Sequence, residues 1–178
     1  MPSRGFPRAS ILVLVIALAA GAAMLSGLAG GLVRIGWPLL PEHFVAPVAL
    51  HSALMVCGFF GFGIALERAA ALKNPIAFAA PALAACGTVA ALALQPGLAG
   101  IFWLLAALAL VAVYAEVLRR APELHTAVEA AGALVWAGGT LWWLLARPFS
   151  VVVAWWAAFL VLTIFGERRE LARFVPLS

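Results

Sequence analysis

Long apolar runs separated by short polar breaks follow one another along the whole chain. Because a helix needs roughly 20 apolar residues to cross a bilayer, the pattern predicts six membrane-spanning helices. Their approximate bounds are 10–33, 46–67, 76–95, 98–118, 124–146 and 149–166. Proline lies at the breaks, as in Asn74-Pro75, Gln95-Pro96 and Arg147-Pro148, where a helix does not readily continue. We therefore expect an all-α, polytopic six-helix bundle in which residues 1–178 form a single transmembrane domain.

Composition agrees with this pattern. Hydrophobic residues make up 66% of the 178 residues and charged residues only 10%, which leaves too little polar surface for a soluble core. The net charge of +4 does not indicate nucleic-acid binding, because the basic residues lie at the ends of apolar runs. We expect the lipid bilayer as the main partner, together with further copies of the chain or a larger membrane complex.

The distribution of lysine and arginine predicts the orientation. With the N-terminus in the cytoplasm, only Arg34 and Arg147 fall on the outer side, and nine basic residues fall inside: Arg4, Arg8, Arg68, Lys73, Arg119, Arg120, Arg168, Arg169 and Arg173. This bias places both termini in the cytoplasm. Six tryptophans lie near the outer helix ends and predict an aromatic belt there, namely Trp37, Trp103, Trp142, Trp143, Trp155 and Trp156.

The second predicted helix carries a histidine at a depth where lipid is expected. Residues 51–72 read HSALMVCGFFGFGIALERAAAL, and an imidazole inside such a run needs a hydrogen-bond partner or a metal. Met55 lies one turn after His51 on the same face, and this pair of ligands suits copper or haem iron. His51 is the candidate metal ligand and Met55 a candidate cofactor contact. A structural hydrogen bond and simple packing are the respective alternatives.

The second predicted helix also contains several glycines and a charged pair. Glycines at 58, 61 and 63, together with Gly27-x-x-x-Gly31 in the first helix, indicate tight helix packing. Glu67 and Arg68 are expected as a pair at the cytoplasmic boundary, either solvated or bonded to a neighbouring loop.

A second candidate site lies at the start of the fifth predicted helix, in PELHTAVEAAG. His125 and Glu129 are four residues apart and share a helix face. The two residues could carry protons, or Glu129 could orient a cofactor-binding His125; a local ion pair at the helix end is the alternative. Glu116 is expected to form a surface salt bridge with Arg119 and Arg120.

Common catalytic motifs are missing from the sequence. It contains no Walker loop, no GxSxG, no HExxH, no CxxCH and no aspartate. These absences favour a protein that is not an enzyme and leave any chemistry to the space between helices. Cys57 and Cys86 lie in apolar runs, so we expect both to be buried packing residues.

Three segments together resemble a known family. They are residues 51–72 quoted above, LHTAVEAAGALVW at 124–136 and WWAAFLVLTIFGERRELAR at 155–173. Over about residues 46–174 they look like the N-terminal half of large bacterial membrane proteins of the NnrS family. The resemblance implies a location in the bacterial inner (plasma) membrane, association with haem or copper and a redox or nitric-oxide-linked role. Members of that family have about twice as many helices, which implies that a second copy or another membrane partner completes such a site.

Three functions from different classes follow. The first is a haem- or copper-associated membrane protein that uses His51, with Met55, His125 and Glu129 as further candidates. The second is a cofactor-free accessory subunit of a larger respiratory or photosynthetic membrane complex, in which the histidines are structural. The third is a small transporter or proton conduit that uses the intramembrane carboxylate of Glu129.

Overall fold

The computed structural model describes residues 8–37, 45–72 and 74–172, and within these ranges the chain forms helices and turns without a β-strand. The α-helices are α1 (Arg8–Arg34), α2 (Val45–Ala53), α3 (Gly61–Leu72), α4 (Ala79–Leu92), α5 (Pro96–Arg120), α6 (Leu124–Leu144) and α7 (Phe149–Ala172). A π-helical segment, Leu54–Phe60, joins α2 to α3 without interruption, and a 3₁₀ turn, Pro75–Phe78, leads into α4. The prediction of an all-α chain with six long helices is confirmed.

Five of these helices are long and apolar enough to cross a membrane. In the described part of the chain they are Ala17–Arg34, Pro47–Leu72, Pro75–Leu92, Pro96–Arg120 and Phe149–Ala172. The sixth, α6, packs between α5 and α7 and carries most of the buried polar side chains. Large aliphatic side chains such as Leu18, Leu105 and Ile164 cover the outer faces of α1, α5 and α7. An exposed apolar surface of this extent is typical of contact with lipid.

Glycines set the closest contacts of α1 with the second helix. A Cβ atom at Gly27 would lie 2.8 Å from Cγ of Met55, and one at Gly30 would overlap the backbone of Pro47. The predicted tight packing is confirmed at Gly27, whereas a Cβ at Gly31, the other glycine of the predicted pair, would be in ordinary contact with His51 at 3.6 Å.

Indole rings fill the centre of the bundle. Trp136 of α6 is fully buried, its ring stacks on Phe159 with centroids 5.1 Å apart, and its N–H donates to Sγ of Cys57 at 3.3 Å. Trp103 and Trp156 are also buried, so the predicted aromatic belt is wrong for these two residues. Glycines on neighbouring helices leave room for these two rings inside the bundle.

The two cysteines differ in exposure. Cys57 is buried as expected, whereas Cys86 is exposed, contrary to the expectation.

The π-helical segment and the length of the second helix are the main departures from the predicted elements. The wider turn of a π-helix places Leu54, Cys57 and Gly58 together in the core. The helix then continues to Leu72, beyond the predicted end at residue 67. Likewise α7 continues through the charged GERRELA stretch to Ala172, beyond the predicted end at 166. Both extensions bring charged residues into helix–helix contacts.

Of the basic residues used to predict orientation, Arg4, Lys73 and Arg173 lie outside the described residues.

Two glycines in the first turn of α3, just after the π-helical segment, should respond differently to alanine. A Cβ at Gly61 would lie 2.5 Å from the buried Trp136 ring, whereas one at Gly63 would meet nothing within 4 Å. We expect Gly61→Ala to lower stability by about 1–3 kcal/mol through overpacking. Gly63→Ala should raise it by about 0.5–1 kcal/mol, because alanine is the better helix former. Thermal unfolding in detergent measures both, and equal midpoints would contradict this packing.

Candidate functional site

Charged side chains from three helices meet inside one end of the bundle. Helix α3 ends, α6 begins and α7 ends at this level of the structure. Arg68 lies four residues before the end of α3, Glu129 five residues after the start of α6, and Glu170 two residues before the end of α7. Because α3 and α7 end at the level where α6 begins, these three positions lie at a similar depth.

A single guanidinium holds both carboxylates. Nη2 of Arg68 donates to Oε1 of Glu129 at 3.0 Å and to Oε2 of Glu170 at 3.3 Å. The Glu129 side chain is completely buried, that of Arg68 is 14% exposed, and that of Glu170 is 38% exposed. Hydrogen bonds between charged groups are stronger than neutral ones, and a buried carboxylate requires such a partner. We call Arg68, Glu129, Glu170 and the adjacent Tyr114 the charged centre.

Several polar atoms of the charged centre have no protein hydrogen-bond partner. Four buried side-chain atoms of the described residues lack one, and three of them lie here: Nε of Arg68, the hydroxyl of Tyr114 and Oε2 of Glu129. The Tyr114 ring lies 5.8 Å from Cζ of Arg68. Buried polar groups are rarely left without a partner unless they bind water, an ion or a substrate. The charged centre therefore keeps hydrogen-bonding capacity that water can use.

Gly166 of α7 makes the space for the Glu129 side chain. A Cβ atom at this position would overlap Cγ of Glu129 and would lie 3.1 Å from both its Oε1 and the backbone oxygen of His125. The sequence places a residue without a side chain opposite the fully buried Glu129, so α6 and α7 can close around it.

This arrangement corrects two expectations. Arg68 is not a boundary residue solvated or bonded to a loop, because the helix continues past it and turns its side chain toward α6; Glu67 is exposed as expected. Glu129 bonds to Arg68 rather than forming a local ion pair with His125. One feature of the sequence could have indicated this pairing: Arg68 and Glu129 lie at an equal depth from the same end of the bundle. Because the second helix was predicted to end at residue 67, Arg68 fell outside it and the equal depth was missed. The surface salt bridge of Glu116 with Arg119 and Arg120 is confirmed.

His125 lies beside the charged centre, next to an open pocket. Its side chain is 9% exposed, and it lines a pocket of about 450 Å³ together with Glu123, Leu124, Arg169 and Ala172. His125 precedes Glu129 by one helical turn on the same face. The predicted association of His125 and Glu129 in one region of the protein thus has a geometric basis, although no hydrogen bond joins their side chains among the described contacts.

His51 and Met55 lie far from the charged centre. Arg68 follows His51 by 17 residues in the same continuous helix, which is about 25 Å at 1.5 Å per residue. Nε2 of His51 is 2.9 Å from Oγ of Ser52, and its buried Nδ1 has no hydrogen-bond partner. Both His51 and Met55 face the glycines of α1. The four candidate cofactor residues therefore form two separate pairs at opposite ends of the bundle.

Within the part of the chain that the structure describes, few donor atoms lie near His51. One imidazole nitrogen is free to bind, but Met55 packs against Gly27, and no group of three or more His, Cys, Asp or Glu side chains that could hold a metal ion occurs among the described residues. Copper and zinc sites usually need three or more protein ligands. Within the described residues, His51 therefore offers a single ligand contact.

The charged centre predicts an asymmetric response to neutralising substitutions. Arg68→Met leaves two carboxylates side by side without a cation, so we expect a loss of about 3 kcal/mol or more. Glu129→Gln leaves the Arg68–Glu170 pair and an amide that still accepts a hydrogen bond, so the loss should be about 1 kcal/mol. Thermal unfolding in detergent measures both.

Arg120→Met provides the matched control, because it removes an exposed arginine that is paired with Glu116 on the surface. We expect no change in its unfolding midpoint. An Arg68→Met protein as stable as this control would show that the pairing contributes nothing to the fold.

Comparison with known proteins identifies the family. No curated protein and no solved structure matches the chain. Residues 12–178 match the family described as "Domain of unknown function (DUF8744)". This match includes the charged centre, His51 and His125, and it covers nearly the whole sequence. The chain therefore belongs to the DUF8744 family.

Proposed function

We propose that this chain is a multi-pass membrane protein that reversibly binds a proton at the charged centre, as a small transporter or proton conduit does. The observation that carries the proposal is the arrangement of one guanidinium between two carboxylates, with three buried polar atoms left unpaired around them. Ionisable side chains inside membrane bundles mark proton and ion pathways more often than they serve packing.

The balance of charge favours proton uptake. With all groups ionised, Arg68 supplies one positive charge against the two negative charges of Glu129 and Glu170. A net negative charge in an apolar bundle costs energy, since little solvent is present to stabilise it. Binding one proton neutralises the cluster. Glu129 is the preferred acceptor, because it is fully buried whereas Glu170 is partly exposed.

The hydrogen-bonding capacity of the centre supports the same conclusion. Oε2 of Glu129 is the free acceptor, and the Tyr114 hydroxyl and Nε of Arg68 are free donors nearby. Water molecules commonly bridge such buried groups, and a carboxyl group that meets water can exchange its proton. After protonation of Glu129, Arg68 keeps Glu170 as its ionic partner, so the arginine is never left as an unpaired buried charge.

The membrane setting is part of the proposal. Five helices of sufficient length and hydropathy support insertion, and the bias of lysine and arginine supports cytoplasmic termini in a bacterial inner membrane. In this orientation the charged centre lies about one turn inside the cytoplasmic surface. Further copies of the chain or a larger membrane complex would contact the exposed aliphatic faces of α1 and α7.

A second candidate function is attachment of a haem or copper group through His51. The observation in its favour is the buried Nδ1 atom of His51, which has no hydrogen-bond partner, together with the resemblance to haem- and copper-associated membrane proteins. An absorption spectrum of protein purified in mild detergent tests it. A cofactor band lost in His51→Ala would support this function, and a colourless, metal-free protein would exclude it.

Proton movement through reconstituted protein tests the first proposal. In liposomes that contain a pH-sensitive dye, an imposed potassium-diffusion potential should drive proton entry through the wild-type protein. We expect Glu129→Gln to slow this entry by about 10²-fold or more, since glutamine cannot take up and release a proton.

Glu116→Gln is the matched control, because Glu116 is an acid bonded to two arginines on the surface rather than in the bundle. Its proton flux should equal that of the wild type. Equal flux in Glu129→Gln and wild type, at equal protein content, would refute a role for the charged centre.

A further inference from the structure

A pocket lies where α6 begins and α7 ends, the same end of the two helices that carries Glu129 and Glu170. Its lining includes His125 and Leu124 at the start of α6, and Arg169 and Ala172 at the end of α7. Glu123 also contributes to the rim. With a volume of about 450 Å³ the pocket holds many water molecules, since one water occupies about 30 Å³ in the liquid.

His125 is the residue between this pocket and Glu129. The residue is only 9% exposed, yet it lines the pocket. Its ring nitrogens can accept a proton on one side and release it on the other.

Little protein separates His125 from the acid. Glu129 lies one turn further along the same face of α6. On the facing helix Gly166 contributes no side chain, and a Cβ there would contact both the His125 backbone oxygen and the Glu129 carboxyl group. The glycine thus lets α7 pack directly against both residues of α6.

We propose that this pocket is the aqueous entrance to Glu129 and that His125 is the residue that passes the proton inward. A hydronium ion in the pocket gives its proton to His125 and becomes water. The imidazolium then gives a proton to Oε2 of Glu129, which becomes a neutral carboxylic acid, and the imidazole returns to its neutral form. Arg68 remains protonated throughout. This inference rests on the proposed proton-binding function of Glu129.

The groups that face Glu129 come from every helix packed around it. Arg68 faces it from α3, Tyr114 from α5, and Glu167 and Glu170 from α7. None of these four groups lines the pocket, whereas His125 does. His125 is therefore the ionisable group of α6 that connects the pocket with the acid.

The rate of proton uptake tests the proposed entrance, and the amplitude of proton uptake tests the proposed binding site. After a rapid drop in pH, a water-soluble pH indicator reports the rate and the amplitude of proton uptake by the detergent-solubilised protein. We expect His125→Ala to keep the wild-type amplitude and to slow uptake by about 10²-fold. Imidazole added to the solution should enter the pocket and restore the rate, a rescue that a merely structural histidine would not show.

Ala172→Trp tests the same path without altering His125. The indole should obstruct the pocket and slow uptake, whereas Ala115→Trp, at an exposed alanine of α5, should leave the rate unchanged. An unchanged rate in both His125→Ala and Ala172→Trp, with an amplitude that still depends on Glu129, would overturn the proposed entrance but not the proposed proton-binding site. An amplitude in Glu129→Gln equal to that of the wild type would overturn the binding site, and the entrance with it.

Discussion

One arginine shared by two carboxylates is the interaction on which the polar end of this bundle depends. The surrounding interior consists largely of alanine, glycine and aromatic side chains, which cannot stabilise an isolated charge. Arg68 therefore fixes the relative positions of α3, α6 and α7, because each must bring its charged side chain to the same depth. The pairing is unbalanced by one negative charge, and this imbalance connects the fold with the proposed proton binding.

Close packing by glycine makes the charged centre possible. Gly166 allows α7 to approach the buried Glu129, as Gly61 allows α3 to approach Trp136. The π-helical segment between α2 and α3 directs Cys57 toward Trp136 and continues into the turn that carries Arg68. Substitutions in the core can thus affect the charged centre without touching it, since they change the rotation or spacing of the helices that present Arg68 and Glu129.

The number and approximate bounds of the helices could be predicted from apolar runs, because each run ends at proline, glycine or charged residues. Glu129 and His125 could be selected as candidate residues, since ionisable groups are rare at that depth. Their true partner could not be found in this way: Arg68 is adjacent in sequence to the exposed Glu67 and looks like part of a surface pair. The pairing depends on the extra length of α3 and on the rotation set by the π-helical segment, and neither follows from hydropathy. The burial of Trp103 and Trp156 likewise depends on glycines of neighbouring helices, which a single-helix pattern does not reveal.

The protonation state of Glu129 tests the central claim most directly. Infrared difference spectra of the wild-type protein between high and low pH should contain the C=O stretching band of a buried carboxylic acid, shifted in heavy water. We predict that this band is absent from Glu129→Gln and unchanged in Glu116→Gln. A band that persists unaltered in Glu129→Gln, or a wild-type spectrum that shows only the permanently ionised carboxylate, would contradict reversible proton binding at the charged centre.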